Sequence, residues 1–119
     1  FNSRNLPVIL HSDGDISAFI PLLLKAGVRA LNPLEASSGF DISAMKKEYA
    51  VDLVIMGNMP VDVLYEDRRG IEEALSERLE IAKNGGGFIY HSESPIPPAV
   101  PFENYAFALE IIRKYGAYQ

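Results

Sequence analysis

The sequence predicts an α/β protein of parallel βα units, four of them, amounting to one half of an eightfold barrel. Three observations carry this. Four short apolar runs are each followed by a segment with apolar residues at helical spacing. Every run stops abruptly at a polar cluster, HSDGD, NPLE, GNMP or HSES, so polar groups gather where the strands end. In parallel sheets with right-handed crossovers that carboxyl edge is where sites form. An open flavodoxin-like sheet is the alternative, marked by a fifth strand and a phosphate-cradling glycine loop. Gly85, Gly86 and Gly87 precede a strand rather than a helix, so they read as a helix stop.

Val8, Ile9 and Leu10 read as a first strand buried on both faces, and Gly14 lets the chain turn after it. Ile16, Phe19, Ile20, Leu23 and Leu24 share one helical face, with Ser17 as N-cap, Pro21 in the first turn and Gly27 as the stop. Val28 to Leu31 is the second strand, closed by Pro33. Asp41 caps a helix with Ile42, Met45 and Tyr49 on one side. Leu53 to Met56 is the third strand, and Val61 to Asp67 an irregular turn. The helix after it has the inner stripe Ile71, Ala74, Leu75, Arg78, Leu79 and Ala82, with the aliphatic stem of Arg78 at its edge. Phe88 to Tyr90 is the fourth strand; a stiff loop with Pro95, Pro97, Pro98 and Pro101 then leads to a helix with Tyr105, Ala108, Leu109 and Ile112 inward and Gly116 past its end.

Residues 1–119 make one domain, 48% hydrophobic and 23% charged, which excludes disorder. No apolar stretch approaches the roughly 20 residues of a membrane helix, and no export signal precedes the first strand, so the cytoplasm is the expected compartment. A net charge of −5 argues against nucleic acid, and the absence of cysteine excludes disulfides and zinc-thiolate sites. The start on Phe1 rather than Met points to a fragment, the rest of a barrel having preceded it.

The segments HSDGD, ALNPLEASSGFDI, VIMGNMPVDVLY, GGGFIYHSESPIPPAVPFENY and RKYGAY together resemble the C-terminal half of the uroporphyrinogen decarboxylase superfamily, which includes corrinoid-dependent methyltransferases. The resemblance implies strands five to eight of a (β/α)8 barrel. In the zinc-dependent methyltransferases a His-x-Cys-Gly motif and a later Cys bind the metal that activates a thiol; His11 matches the histidine, while Asp13 and Ser94 stand at the two cysteine positions. In the decarboxylases a histidine falls where Ser94 stands, and an aspartate where Pro60 stands. The groups that grip the tetrapyrrole belong to the N-terminal half. The cofactors implied are zinc, held by His11 and Asp13, and a corrinoid as methyl carrier. The ligand implied is a small molecule, tetrapyrrole or corrinoid.

His11, Asp13, Glu35 and His91 are therefore the candidate catalytic residues, and Asn32, Asn58, Glu93 and Ser94 the candidate substrate-binding ones. Asp15 fits a helix cap, and Asn58 either binds a ligand or ties its loop. His91 and Glu93 fall on one side of an extended segment and suit a metal or an acid/base pair. Corrinoid-linked methyl transfer leads, because HSDG and SPIPP sit nearest the methyltransferase pattern. Porphyrinogen decarboxylation is the runner-up, followed by a non-catalytic half-barrel binding module and by metal-assisted hydrolysis. Four strands cut from a barrel would expose Leu6 to Leu10 and Phe88 to Tyr90 as unpaired edges, so a homodimer, or pairing with a missing N-terminal half, is expected.

Overall fold

The computed structural model describes residues 2–49 and 51–118. Its strands are β1 (Ile9–His11), β2 (Ala30–Asn32), β3 (Val54–Met56) and β4 (Phe88–Ile89), and its helices α1 (Ile20–Ala26), α2 (Ile42–Tyr49), α3 (Arg68–Lys83) and α4 (Phe102–Tyr115). The strands form one parallel sheet in the order β1-β2-β3-β4. A doubly wound sheet reverses its order at a switch point. This one does not: each strand lies beside its predecessor, as in half of a (β/α)8 barrel.

Strand alternation divides the sheet into two unlike faces. Leu10, Leu31, Ile55 and Phe88 lie in one register row. They join a core with Ile20, Ile42, Met45, Ile71, Leu75, Leu79, Ala108 and Ile111 of the helices. The opposite face carries Ile9, Ala30 and Val54 in one row and His11, Asn32, Met56 and Ile89 in the next. Ile9 is 55% exposed and Ile89 44% exposed. The expectation that the first strand is buried on both faces is thus corrected. The helices cover one side only, and β1 is an edge strand.

Local sequence explains most helix boundaries. Asp41 Oδ1 accepts from the Ala44 N–H at 2.7 Å and Asp67 Oδ1 from the Gly70 N–H at 2.8 Å, both in the position of an N-cap. Gly27 closes α1 with φ of 94°, a conformation open to glycine. The first helix departs from expectation at its start. Ser17–Phe19 is a 3-10 turn entered through Ile16, α1 begins at Ile20 after Phe19, and Asp15 Oδ1 accepts from the Ser17 N–H at 2.9 Å just ahead of the turn. The tighter turn shifts the phase and leaves Phe19 outside the inner face. In α4 the deepest residues are Ala108 and Ile111, with Leu109 and Ile112 only partly buried. Packing against α3 centres the stripe one position earlier than the pattern suggests.

The fourth strand is not an open edge. Ile55 N–H donates to Gly87 O and Gly57 N–H to Ile89 O, so Phe88 turns both of its backbone groups away from β3. There the Tyr118 hydroxyl accepts from Phe88 N–H at 3.1 Å and donates to Phe88 O. The expected unpaired edge at Phe88 is therefore met by the phenol of Tyr118.

Candidate functional site

The parallel register sets His11 at the end of β1 directly beside Asn32 at the end of β2. His11 Nδ1 lies 2.8 Å from Asn32 Oδ1, and His11 Nε2 lies 3.5 Å from Asp13 Oδ1. A carbonyl oxygen can only accept, so Nδ1 carries the proton and the neutral ring keeps its lone pair on Nε2. Asp13 is exposed, brought round by Gly14 with φ of 77°. Asp15, two residues on, points instead at the helix start. Its hydrogen bonds from Ser17 hold the carboxyl below the ordinary value of 3.8.

Glu35 and Glu93 bind loops to one another. Glu35 Oε2 accepts from Ser38 Oγ at 2.9 Å and from the Gly14 N–H at 3.4 Å, joining the exits of β1 and β2. Glu93 Oε1 accepts from the Ala36 N–H at 2.6 Å, and Glu93 N–H donates to Met59 O at 3.1 Å. A parallel bridge between Met59 and Ser92 extends the sheet into the same loops. His91 Nδ1 donates to Ser92 O at 2.5 Å, which leaves its Nε2 to accept. His11, Asp13, Glu35, His91, Glu93 and Ser94 line one cleft with Pro33, Ser92 and Pro95.

Two of the expected binding residues lie under this cleft instead of in its wall. Asn32 braces His11, and its Nδ2 is a buried donor without a partner among the described residues. Asn58 is 1% exposed. Its Nδ2 donates to Leu34 O at 3.0 Å and Phe40 O at 2.8 Å, while its Oδ1 accepts from Arg78 Nη1 at 2.9 Å. Of the two readings of Asn58, the geometry describes the loop tie. Arg78 was legible only as the charged member of an apolar stripe. Its second bond, to Asn58 O at 3.1 Å, makes it the anchor of the β3 exit. Ser38 was missed as well, since a serine in a loop gives no pattern signal.

The donors do not assemble a zinc site. A catalytic zinc takes three protein ligands, whereas among the described residues no group of three or more His, Cys, Asp or Glu side chains comes together to hold a metal. His11 and Asp13 form only a pair, and Ser94 is a weak ligand beside the thiolate it replaces.

The fold and its cleft define a parallel βα half-barrel with acid/base groups at the strands' carboxyl ends. A sequence profile of the uroporphyrinogen decarboxylase (URO-D) family matches residues 2–115, and the chain belongs to that family. No match was found among curated proteins. Among the described residues no helix is long and apolar enough to cross a membrane.

Proposed function

We propose that the cleft is the proton-handling face of a URO-D-family site whose reaction class is methyl transfer to a thiol, the methyl group coming from a corrinoid carrier. The observation that supports this reading is the charge of the lining. It holds Asp13, Glu35 and Glu93 with two histidines and no lysine or arginine. A porphyrinogen bears several carboxylates, which three carboxylates without a cation would repel. A neutral thiol suits the same wall. His11 is placed to take its proton at Nε2, because Asn32 fixes the opposite nitrogen as the donor. The Asp13 carboxylate, 3.5 Å away, stabilises the imidazolium so formed. The thiolate is then the nucleophile.

Porphyrinogen decarboxylation is the second reading, favoured by the family profile itself. Here the cationic grip would have to come from outside this cleft. The separating experiment is a titration of the 119-residue chain with 2-mercaptoethanol and, separately, with coproporphyrinogen, following the imidazole nitrogens by NMR. Thiol binding is expected to move His11 Nε2, with coproporphyrinogen leaving both histidines unmoved. Any transfer from methylcobalamin to the thiol should fall about 100-fold in His11→Gln. Coproporphyrinogen binding at His11 with no response to thiol would reverse the order of the two readings.

A further inference from the structure

The end of the sheet opposite the cleft carries a groove of a different kind. It runs between α2 and α3, is lined by Ser43, Lys46 and Lys47 of the first helix, by Glu80 of the second and by Asn84 and Gly85 just past it, and has a volume of about 620 Å³. The two helices belong to consecutive βα units and pack on one another, so both walls of the groove lie within this chain. Lys46 is 8% exposed, and its Nζ donates to Gly86 O, a neutral acceptor. Among the described residues no carboxylate lies within ion-pair distance of Lys46 or Lys47. The carboxylate of the lining, Glu80, is already held by Lys83 at 2.8 Å. A buried ammonium without a counter-charge opposes folding. Helix C-terminal ends attract lysines to the surface, but they give no reason to bury one. Beside the lysines, Gly85 and Gly86 turn through φ of 72° and 80°, and a Cβ on either would meet no atom within 4 Å. That wall is bare backbone next to open space. The turn is still a helix stop, so the positive charge of the groove is the lysines' own.

We propose that this groove binds a phosphate-bearing small molecule, with Lys46 and Lys47 as its cationic contacts and Ser43 and Asn84 as its neutral donors. A pair of ammonium groups without a guanidinium suits a phosphate dianion, which accepts point charges from several directions, better than a planar carboxylate, which pairs best with the arginine fork. The hydroxyl of Ser43 and the amide of Asn84 can donate to the remaining oxygens. Glu80 does not oppose the ligand, because Lys83 neutralises it. The dianion supplies the counter-charge that the fold withholds from Lys46, and it gives the burial of that lysine a purpose that stability does not. The two ends of the sheet then select opposite charges, since the cleft at the strand exits has no lysine or arginine. None of this depends on the reaction class.

The test is calorimetric titration of the full chain with inorganic pyrophosphate, inorganic phosphate and acetate, with backbone amides followed by NMR. Pyrophosphate is expected to bind with a Kd below about 1 mM, phosphate more weakly and acetate not measurably. The amides of Gly85 and Gly86 should shift, while the imidazoles of His11 and His91 stay unmoved. Lys46→Met should keep a native circular dichroism spectrum and weaken pyrophosphate binding about 10- to 100-fold, the span of one hydrogen bond to a charged group. Lys47→Met, at an exposed position, should weaken it about threefold. Lys25→Met, on α1 and exposed, should leave it unchanged. The proposal is overturned if pyrophosphate fails to saturate the wild-type chain by about 10 mM, or if Lys46→Met and Lys47→Met both bind it as wild type does. It is equally overturned if Lys25→Met loses as much affinity as Lys46→Met, if acetate binds as tightly as pyrophosphate, or if the histidines shift in place of the two glycines.

Discussion

The first and third βα units of this chain are built to the same pattern and held in different ways. In the third, α3 runs for 16 residues between α2 and α4 and buries Ile71, Leu75, Leu79 and Ala82. In the first, α1 runs for 7 residues and buries Ile20 alone, while Phe19 and Leu22 face solvent. Yet the first unit carries His11 and Asp13. Its site is positioned by hydrogen bonds from neighbouring loops, Asn32 to His11 and Glu35 to the Gly14 N–H, more than by its own packing. A unit with few buried apolar contacts opens at low free-energy cost. The difference therefore separates what holds the molecule together from what points its reactive groups.

The widest contrast is between deletions in the two units. Ile71 is 0% exposed, and Ile71→Ala should cost about 2–5 kcal/mol through lost transfer energy and a cavity between helices. Phe19 is 59% exposed, and Phe19→Ala should stay within about 0.5 kcal/mol of wild type. Urea denaturation followed by circular dichroism measures both. Equal losses would mean that the first unit contributes to the core as fully as the third.

Asn58 links the regions and gives the next largest effect. It has φ of 60°, so Asn58→Gly keeps the backbone conformation while removing the bonds to Leu34, Phe40 and Arg78. The buried carbonyls and the guanidinium left behind set the expected loss at about 2–3 kcal/mol. Asn58→Ala should lose about 1 kcal/mol more, because a Cβ is strained at that φ. The imidazole resonances of His11 should broaden in both variants if the β2 exit loop helps position that ring. Sharp, unshifted His11 signals would show that its brace is local to Asn32 and Asp13.

These anchors also mark what the sequence could reveal. Asp41 announced its helix, because a cap and its N–H lie three residues apart in the chain; Asp67, read as the end of an irregular turn, caps α3 in the same way. The strand order followed from repetition, each apolar run feeding one amphipathic helix. The phase of a short helix did not: one 3-10 turn ahead of α1 moved Phe19 to the surface. Contacts between distant segments were invisible, whether Glu93 on the Ala36 N–H or Tyr118 on Phe88. Residue types and strand exits brought His11, Asp13, Glu35, His91, Glu93 and Ser94 to one cleft. They could not tell a cleft residue from a tie beneath it, which is why Asn58 stood with either reading open.

The smallest expected effect lies at the opposite end of the sheet, where Lys46 on α2 donates through Nζ to Gly86 O beside the strand entrance. The residue is buried, and burial pushes its ammonium below the ordinary value of 10.5. The unfolded chain therefore holds this proton over a window just below 10.5 in which the folded chain has begun to release it. More protons bound in the unfolded state means that this group's contribution to stability rises with pH through that window. Below it the desolvation of a buried cation opposes folding in full. Lys46→Met keeps most of the apolar stem and removes the charge, so stability at neutral pH should stay level or rise by about 1 kcal/mol. The variant should also lack the alkaline gain. Subtracting its denaturation free energies from those of wild type at each pH cancels the other titrating groups, Tyr90 and Lys114 among them, and isolates Lys46. A loss above about 2 kcal/mol at neutral pH would show that the bond to Gly86 outweighs the cost of the buried charge. This edge of the sheet would then be fixed by a polar tie, as the exits of β1 and β2 are.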